Sequence, residues 1–292
     1  MKIALFGKSV NNYNLEPIKL LVSIIEKKGW ELIVYEEFYR LLRDKNVFSK
    51  IVQIFNSPLS TNQTADLFFS LGGDGTILNA LPYVLGTPIP VVGVNTGRLG
   101  FLASIGIDEI ESAIEKIEAK NYQIEKRSII TLETTEGLFG NLNFALNEFT
   151  IHKSDSSSMI TIHTFLNGEF LNSYWADGLI VSTPTGSTAY SLSCGGPIAM
   201  PDSENFIISP ISPHNLNVRP LIISDKDILT LRVEGRNRHY LVSLDSRSTQ
   251  IDATVEMTVK KASNTINLLR LQNKSFTESL RNKLMWGIDK RN

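Results

Sequence analysis

The chain has 292 residues, and its 29 Lys and Arg nearly balance its 30 Asp and Glu, leaving a formal net charge of −1. That balance argues against a basic nucleic-acid-binding protein. Hydrophobic residues at 42% and charged residues at 20% are close to the average of folded proteins, which argues against intrinsic disorder. The length predicts about two domains.

A single cysteine, Cys194, excludes an intramolecular disulfide and a cysteine zinc cluster, and it favours a reducing compartment. The amino-terminal segment reaches Gly7 and Lys8 before it has built the apolar run of a secretory signal. Residues 178–201 carry no charge, but they are rich in Gly, Pro, Ser and Thr, unlike the about 20 apolar residues of a membrane-spanning helix. We therefore expect a cytoplasmic protein without a membrane partner.

The first third of the chain alternates short apolar runs with helical patterns. Strands are predicted over residues 2–7, 31–35, 66–71 and 89–94, and helices over 17–28, 76–84 and 108–120. Repeated strand, helix and strand is typical of a parallel α/β sheet, whose ligands bind beyond the carboxyl ends of the strands. We assign residues 1–121 to this α/β domain.

From about residue 122 the sequence is rich in Thr, Ile, Val, Phe and Tyr, which favour strands. Strands are predicted over residues 128–134, 143–152, 160–166, 169–175, 228–233, 240–244 and 255–260. Asn167-Gly168 separates two of them and predicts a hairpin. Residues 122–272 are therefore assigned to a mainly antiparallel β domain. A final helix, predicted over residues 275–286 within 273–292, is expected to pack on the first domain.

The segment 72–76, GGDGT, follows an apolar run and opens a helix. Its glycines let backbone N–H groups approach an anion, and the helix start adds its positive dipole end, so the segment predicts a phosphate-binding turn. A carboxylate there suits phosphoryl transfer, in which a base takes the proton of an acceptor hydroxyl while a divalent metal ion neutralises the donor. The alternative is a tight turn in which Asp74 caps the helix.

A second candidate is the segment 176–193, ADGLIVSTPTGSTAYSLS. It places an acidic residue, a buried strand, a proline turn and a Gly-Ser-Thr helix start together, so many hydroxyl and backbone donors surround one point. This pattern suits a polyhydroxylated ligand that carries phosphate. The alternative is a turn whose hydroxyls satisfy buried backbone groups.

Five segments together resemble the NAD kinase family in their order: GGDGT at 72–76, NTGRLGFL at 95–102, NE at 147–148, DG at 177–178 running into TPTGSTAY at 183–190, and PHNL at 213–216 with RP at 219–220. The first is not specific, because diacylglycerol-type lipid kinases and phosphofructokinases have similar turns. The segment that follows Asp177 is specific. The resemblance spans residues 72–220.

The resemblance implies a Rossmann-like N-terminal α/β domain, similar to phosphofructokinase and diacylglycerol kinase, and a C-terminal antiparallel β-sandwich. It also implies transfer of a phosphoryl group from ATP, or another phosphate donor, to the 2′-hydroxyl of the adenosine ribose of NAD, giving NADP. A divalent metal ion, Mg²⁺ before others, and a homo-oligomer, a dimer or tetramer, are implied as well.

In this resemblance Asp74 is the proton acceptor, and Gly75 offers its backbone to the ligand's phosphates. Asn147 and Glu148 bind the adenosine ribose, and Asp177 accepts from an amino or carboxamide group at one end of the dinucleotide. The residues assigned to ligand binding are Asp74, Gly75, Phe101, Asn147, Glu148, Trp175, Asp177, Thr185, Thr188, Ala189, Tyr190, Ser191, Leu192 and Ser193.

Some of these residues have structural alternatives. Asn147-Glu148 could be an exposed strand end, and Tyr190 and Phe101 could be core aromatics, since large aromatic side chains are usually buried for packing. Two positions depart from the family pattern: Trp175 stands where a basic residue is frequent, and Arg247 ends a segment that is often Asp-Gly-Gln in the family.

Two other functions stay open. A lipid kinase could share the GGDGT turn, although it gives no reason for the segment 176–193. A non-catalytic dinucleotide sensor could keep the binding residues without the chemistry. The four histidines are not spaced as metal ligands, so a structural zinc site is not expected.

Overall fold

The computed structural model describes residues 1–11, 13–59, 64–97, 100–154, 159–236, 238–272 and 274–286. Contacts divide the chain into two compact units, the first formed by Met1–Lys126 with the described residues from Ile266 onward, and the second by Arg127–Thr265. None of the helices in the described ranges combines the length and the apolar character that crossing a membrane requires.

The strands of the first unit are β1 Lys2–Gly7, β2 Glu31–Tyr35, β3 Gln53–Phe55, β4 Leu67–Leu71, β5 Val91–Asn95, β6 Ile105–Gly106 and β7 Tyr122–Arg127. Its helices are α1 Leu15–Lys27, α2 Glu36–Leu42, α3 Asp74–Val84 and α4 Ile110–Glu118. Strand order in the sheet is β3-β2-β1-β4-β5, and β6 also pairs with β5. The pairings among β1 to β6 are parallel, and β1, β4 and β5 are buried along nearly their whole length, as expected for strands covered on both faces.

Helix α1 shows why the predicted helices form. Ile18, Leu21, Val22 and Ile25 recur at helical spacing and are buried, so one stripe of the helix faces the core. Gly29, at φ +67°, lies just beyond the helix end, in the left-handed conformation that glycine adopts without strain. The predicted boundaries differ from the observed ones by one or two residues.

The strands of the second unit are β8 Ile130–Thr134, β9 Phe144–Ala145, β10 Glu148–Lys153, β11 Ile160–Leu166, β12 Glu169–Ala176, β13 Gly178–Ser182, β14 Asn205–Ile211, β15 Leu221–Ser224, β16 Leu229–Glu234, β17 His239–Leu244, β18 Arg247–Asp252 and β19 Met257–Lys261. A short helix, α5 Tyr190–Ser193, follows a 3₁₀ turn at Thr185–Thr188. The strands form two sheets, ordered β15-β14-β13-β10-β17-β18 and β12-β11-β16-β19-β8-β9.

These two sheets form a β-sandwich with one apolar core. Phe149, Val181 and Val242 from the first sheet and Ile162 and Leu231 from the second are all buried in one hydrophobic cluster. Neighbouring strands in both sheets pair antiparallel. More buried and more exposed residues alternate along β11, β16 and β17, which places one face of these strands toward that core, whereas β13 and β14 are buried along nearly their whole length.

The predicted hairpin at Asn167-Gly168 is confirmed. Asn167 and Gly168 have φ of +52° and +86° and connect β11 to β12. Positive φ at both central residues is the twist that a two-residue hairpin requires, and Asn followed by Gly adopts it at little cost.

The structure differs from the sequence prediction in the strand over residues 143–152 and in the sheet to which residues 266–271 belong. The single strand predicted over residues 143–152 is two strands, β9 and β10, because the chain turns at Leu146 and Asn147 between them. The strand β20 Ile266–Leu271, which the sequence placed in the β domain, lies in the parallel sheet, where Leu268 pairs with Val91. Its order there is β5-β20-β7.

The chain ends on α6 Phe276–Leu284, within the predicted range 275–286. The Ser275 side chain accepts from the Glu278 N–H at 3.0 Å and caps the helix start. The helix returns to the first unit. The predicted fold class, an α/β domain with an antiparallel β-sandwich and a returning helix, is confirmed.

Candidate functional site

Asp74 begins helix α3 directly after β4, at the carboxyl edge of the parallel sheet. Its carboxylate accepts three backbone N–H groups: Oδ2 accepts from Phe101 at 2.7 Å, and Oδ1 accepts from Leu102 at 3.1 Å and Ala103 at 2.9 Å. A carboxylate offers about four acceptor positions, two on each oxygen. Among the residues that the structure describes, Oδ2 therefore keeps one acceptor position for a further donor, and the Asp74 side chain is half-buried.

Glycines make room for this carboxylate. A Cβ atom on Gly100 would lie 1.6 Å from Asp74 Oδ1, so only glycine fits there. Gly72 has φ +150°, and a Cβ on it would lie 2.1 Å from Thr76 Oγ1. Gly73 and Gly75 are exposed. The Thr76 N–H donates to the Gly73 carbonyl at 2.9 Å, whereas helix geometry gives the N–H groups of Asp74 and Gly75, the first two residues of α3, no carbonyl four residues back within the helix, so the turn can offer them to an anion.

Phe101, predicted as a wall for adenine, is half-buried, so it is neither a fully buried core residue nor a free surface side chain. Its ring contacts Phe276 of α6 at 6.1 Å between centroids, and Lys283 Nζ lies 4.4 Å from its centre. Arg98 and Leu99 of the segment 95–102 lie outside the described residues.

In the second unit, Asn147 and Glu148 lie at the turn between β9 and β10. Asp245 holds this turn from within: its carboxylate accepts from the N–H groups of Leu146 at 2.9 Å, Asn147 at 2.8 Å and Glu148 at 3.3 Å. The Thr183 N–H donates to the Asn147 carbonyl at 2.9 Å. The turn is therefore held by the Asp245 side chain, which follows β17, and by the Thr183 backbone, which follows β13.

Glu148 is 9% exposed, and its Oε2 atom is buried without a hydrogen-bond partner among the described residues. Burial raises the pKa of Glu148 to about 8, with a further contribution from the negative charge of Asp245, while a hydrogen bond from the Tyr190 backbone acts in the opposite direction. A carboxyl group with that pKa carries a proton near neutral pH and can donate a hydrogen bond. Glu148 is not the exposed strand end that the sequence left open.

Asp177 follows β12 and forms an ion pair with Lys153, whose Nζ lies 2.6 Å from Asp177 Oδ1. The neighbouring His152 ring stacks on Tyr190, at 5.8 Å between centroids and 12° between planes. Burial lowers the pKa of His152, partly offset by the charge of Asp177. Tyr190 is 38% exposed, so it is not a core aromatic. The sequence motifs did not single out His152 or Lys153, because their role depends on strand pairing.

The segment 185–193 mixes buried and accessible residues. Thr185 is buried, and its hydroxyl lies 3.4 Å from Arg127 Nη1. Ser191 is fully buried and shares a hydrogen bond with Ser209 at 2.9 Å. Thr188, Ala189 and Leu192 are half-buried, and Tyr190 and Ser193 are exposed. The hydroxyls of Thr185 and Ser191 therefore bond to buried side chains, whereas those of Thr183 and Ser187 donate to the backbone carbonyls of Leu146 and Pro184, as in the alternative that the sequence left open.

The two departures from the family pattern have structural partners. Trp175 is half exposed; its ring contacts His214 at 5.2 Å between centroids, and its backbone N–H donates to Asn215 Oδ1 at 2.8 Å. The Arg247 guanidinium donates to the carbonyls of Leu142 and Phe144 and lies 4.6 Å from the Phe144 ring centre. Arg247 thereby fixes the backbone at Leu142 and Phe144, where β9 begins.

A divalent metal ion has no evident protein site. The described part of the chain contains no group of three or more His, Cys, Asp or Glu side chains that could hold a metal. Three of the acceptor positions of Asp74 are also taken by backbone N–H groups. These residues do not fit a resident metal ion.

Comparison with known proteins indicates the same family as the sequence motifs, and the matching segments lie in both units. The model of the ATP-NAD kinase N-terminal domain matches residues 34–122, and that of the ATP-NAD kinase C-terminal domain matches residues 146–271. A curated NAD kinase from Cytophaga hutchinsonii is 47% identical over 296 residues and covers 100% of both chains.

Two solved structures are similar in fold. Yeast NADH kinase in complex with NADH has a TM-score of 0.83 at 23% identity and covers 99% of this chain and 89% of its own. An NAD kinase from Archaeoglobus fulgidus in complex with ATP has a TM-score of 0.74 at 24% identity and covers 98% of each chain.

Proposed function

The chain belongs to the NAD kinase family and is a phosphotransferase that acts on NAD, and we propose from this premise that Asp74 is its general base. The observation that carries the proposal is the remaining acceptor position on Asp74 Oδ2, beside the glycine-rich turn. Three N–H donors keep this carboxylate in one orientation, so its free position points in a fixed direction.

In the proposed reaction the 2′-hydroxyl of the adenosine ribose donates its proton to Asp74 Oδ2. The hydroxyl oxygen forms a bond to the terminal phosphorus of ATP, and the bond from that phosphorus to ADP breaks, with its electron pair leaving on ADP. A base in this position is worth about 10²–10⁴ in rate. ATP is supported as the donor by the family's name.

The dinucleotide contacts are proposed for the second unit. Glu148, protonated because it is buried, donates a hydrogen bond to a ribose oxygen, and the Asn147 amide binds the same ribose. Asp177, oriented by Lys153, accepts from an amino or carboxamide group. Trp175 and Tyr190 have exposed ring area for stacking on the ligand. The other binding residues predicted from the sequence stay predictions.

The curated relative at 47% identity favours NAD kinase over the lipid kinase and the non-catalytic sensor that the sequence left open. A requirement for Mg²⁺, homo-oligomerisation and a cytoplasmic location stay predictions. Turnover measured with and without Mg²⁺, and sedimentation of the purified protein, test the first two.

The deciding experiment replaces the base. We expect Asp74→Asn to lower turnover about 10²-fold or more, because the amide cannot take the proton, while its oxygen still accepts from Leu102 and Ala103. NADP formation from NAD and ATP is measured with a coupled NADP-dependent dehydrogenase, and NAD affinity by calorimetry.

Asp66→Asn is the matched control, since Asp66 also accepts a backbone N–H, from Lys2 at 2.7 Å, but at the opposite edge of the sheet. Its turnover should stay near wild type. A folded Asp74→Asn protein with wild-type turnover would show that Asp74 only holds the loop at 101–103.

A further inference from the structure

Helix α6 is tied to the parallel-sheet unit by several contacts of different kinds. Before it, β20 pairs with β5, and Lys274 forms an ion pair with Glu109 at 2.6 Å. Within it, Leu280 is buried at 7% exposure, and Phe276 contacts the Phe101 ring. The helix is therefore held in place, and its side chains have defined neighbours.

Lys283 lies in the last turn of α6, on the side that faces Phe101. Its ammonium group is 4.4 Å from the Phe101 ring centre. The N–H of the same Phe101 donates to Asp74 Oδ2 at 2.7 Å. Phe101 thus contacts both Lys283 and the carboxylate proposed as the base, and all three residues lie in the first unit.

The surroundings of Lys283 are unusual for a lysine. The side chain is half-buried, and burial lowers its pKa while the negative charge of Asp74 acts in the opposite direction. Surface lysines normally extend into water, because hydration of the ammonium group is strongly favourable. Here the charge lies instead over a ring beside the glycine-rich turn.

The chemistry at Asp74 gives such a cation a use. A hydroxyl that donates to Asp74 Oδ2 lies about 2.7 Å from that oxygen, and the phosphorus it attacks lies about 3–3.5 Å beyond. The three oxygens of the transferred group carry negative charge that Asp74 repels. A lysine ammonium group on a flexible stem is a common partner for such oxygens.

We propose that Lys283 is a further catalytic residue, whose ammonium group binds an oxygen of the phosphoryl group as it passes to the 2′-hydroxyl. This inference rests on the proposed role of Asp74. The ammonium group gives up no proton in the step: the hydroxyl proton goes to Asp74, the new O–P bond forms, and ADP leaves with the electrons of the broken bond. Lys283 neutralises charge that Asp74 opposes.

A purely structural role is the competing explanation. The contact of an ammonium group with an aromatic ring is attractive in itself, and in this explanation Lys283 only attaches α6 to Phe101. A fastening role predicts a lower melting temperature on substitution with unchanged turnover per folded molecule. The catalytic role predicts the reverse pattern.

The test compares Lys283→Met, Lys283→Arg and the control Arg281→Met in the full chain. Arg281 is exposed on the same helix, two residues away, and side chains at that spacing point in different directions. With NAD and ATP as substrates, we expect Lys283→Met to lower kcat about 10²-fold, as loss of one transition-state charge contact does, with the KM for NAD unchanged. Lys283→Arg should recover part of this loss, and Arg281→Met should match wild type.

The pH profile supplies a readout that folding cannot mimic. Loss of the Lys283 proton should lower wild-type kcat on the alkaline side, and Lys283→Arg should move that loss to higher pH, because arginine stays protonated. A kcat of Lys283→Met within threefold of wild type, or an alkaline limb that Lys283→Arg leaves in place, would overturn the proposal. If Lys283→Met does not fold, the profile of Lys283→Arg decides. Turnover of Asp74→Asn, measured in parallel, reports separately on the base.

Discussion

Asp74 in the first unit and Glu148 in the second are held in opposite ways. In the first unit, Asp74 is half-buried and surrounded by backbone N–H donors, with one acceptor position left. In the second, Glu148 is almost fully buried beside Asp245, and its Oε2 has no partner among the described residues. Backbone donors stabilise a carboxylate that can accept a proton, whereas burial next to a like charge favours the protonated acid. The comparison shows that surroundings, more than residue type, set the role of each carboxyl group.

The largest effect on turnover is expected when the contact between Asp74 and its three backbone N–H donors is disturbed. Gly100→Ala should lower turnover at least 100-fold, comparable to removal of the base, because the new Cβ would lie 1.6 Å from Asp74 Oδ1 and displace the carboxylate. The measurement is kcat for NADP formation together with the melting temperature.

Gly97→Ala is the control for this substitution. Of the described residues, a Cβ there would meet Asn95 Oδ1 at 3.9 Å, an ordinary contact. If Gly100→Ala kept the kcat of Gly97→Ala, Asp74 would not depend on its three N–H donors, and the contrast between the two units would fail.

A smaller effect is expected from the buried acid of the second unit. The pKa of Glu148 is raised by burial from 4.5 to about 8, so the folded protein binds a proton that the unfolded chain releases between those values. The free energy of unfolding should therefore fall as pH rises through this window, by up to about 1.4 kcal/mol per pH unit. Burial raises the pKa of Asp245 as well, and its contribution has the same sign.

Glu148→Gln should flatten this slope and be more stable than wild type at pH 8. Chemical denaturation from pH 5 to pH 8 measures both proteins, and Glu136→Gln, at an exposed position of the same unit, is the control. Equal slopes in Glu148→Gln and wild type would mean that Glu148 is already ionised at pH 5.

The smallest effect is expected for Asp177, the predicted binding residue that pairs with Lys153. Lys153→Met should raise the KM for NAD several-fold and cost about 1 kcal/mol or less, because the pair with Asp177 is partly exposed to water. Lys260→Met is the control, since Lys260 pairs with Glu133 at 2.8 Å on another sheet. An identical KM in both variants would show that Lys153 does not orient Asp177 for the ligand.

Much of the fold could be predicted from local sequence. Helix α1 follows from its stripe of Ile, Leu and Val, and the β11 to β12 hairpin follows from Asn167-Gly168. Strand β20 could not be assigned to its sheet from the sequence, because a segment rich in Ile and Leu fits either sheet. Only pairing between residues about 180 positions apart in the chain places Leu268 beside Val91.

For the functional site, as for the fold, part was determined by the sequence and part by the tertiary structure. The sequence by itself determined the family, through motifs whose glycines and carboxylates suit phosphate chemistry, and it singled out Asp74, Glu148 and Asp177. The tertiary structure alone decided which groups face them: the N–H groups of residues 101–103 on Asp74, Asp245 beside Glu148, and Lys283 over Phe101. Electrostatic surroundings depend on distance in space, and residues far apart in the chain acquire that distance only when the sheets and the last helix have formed.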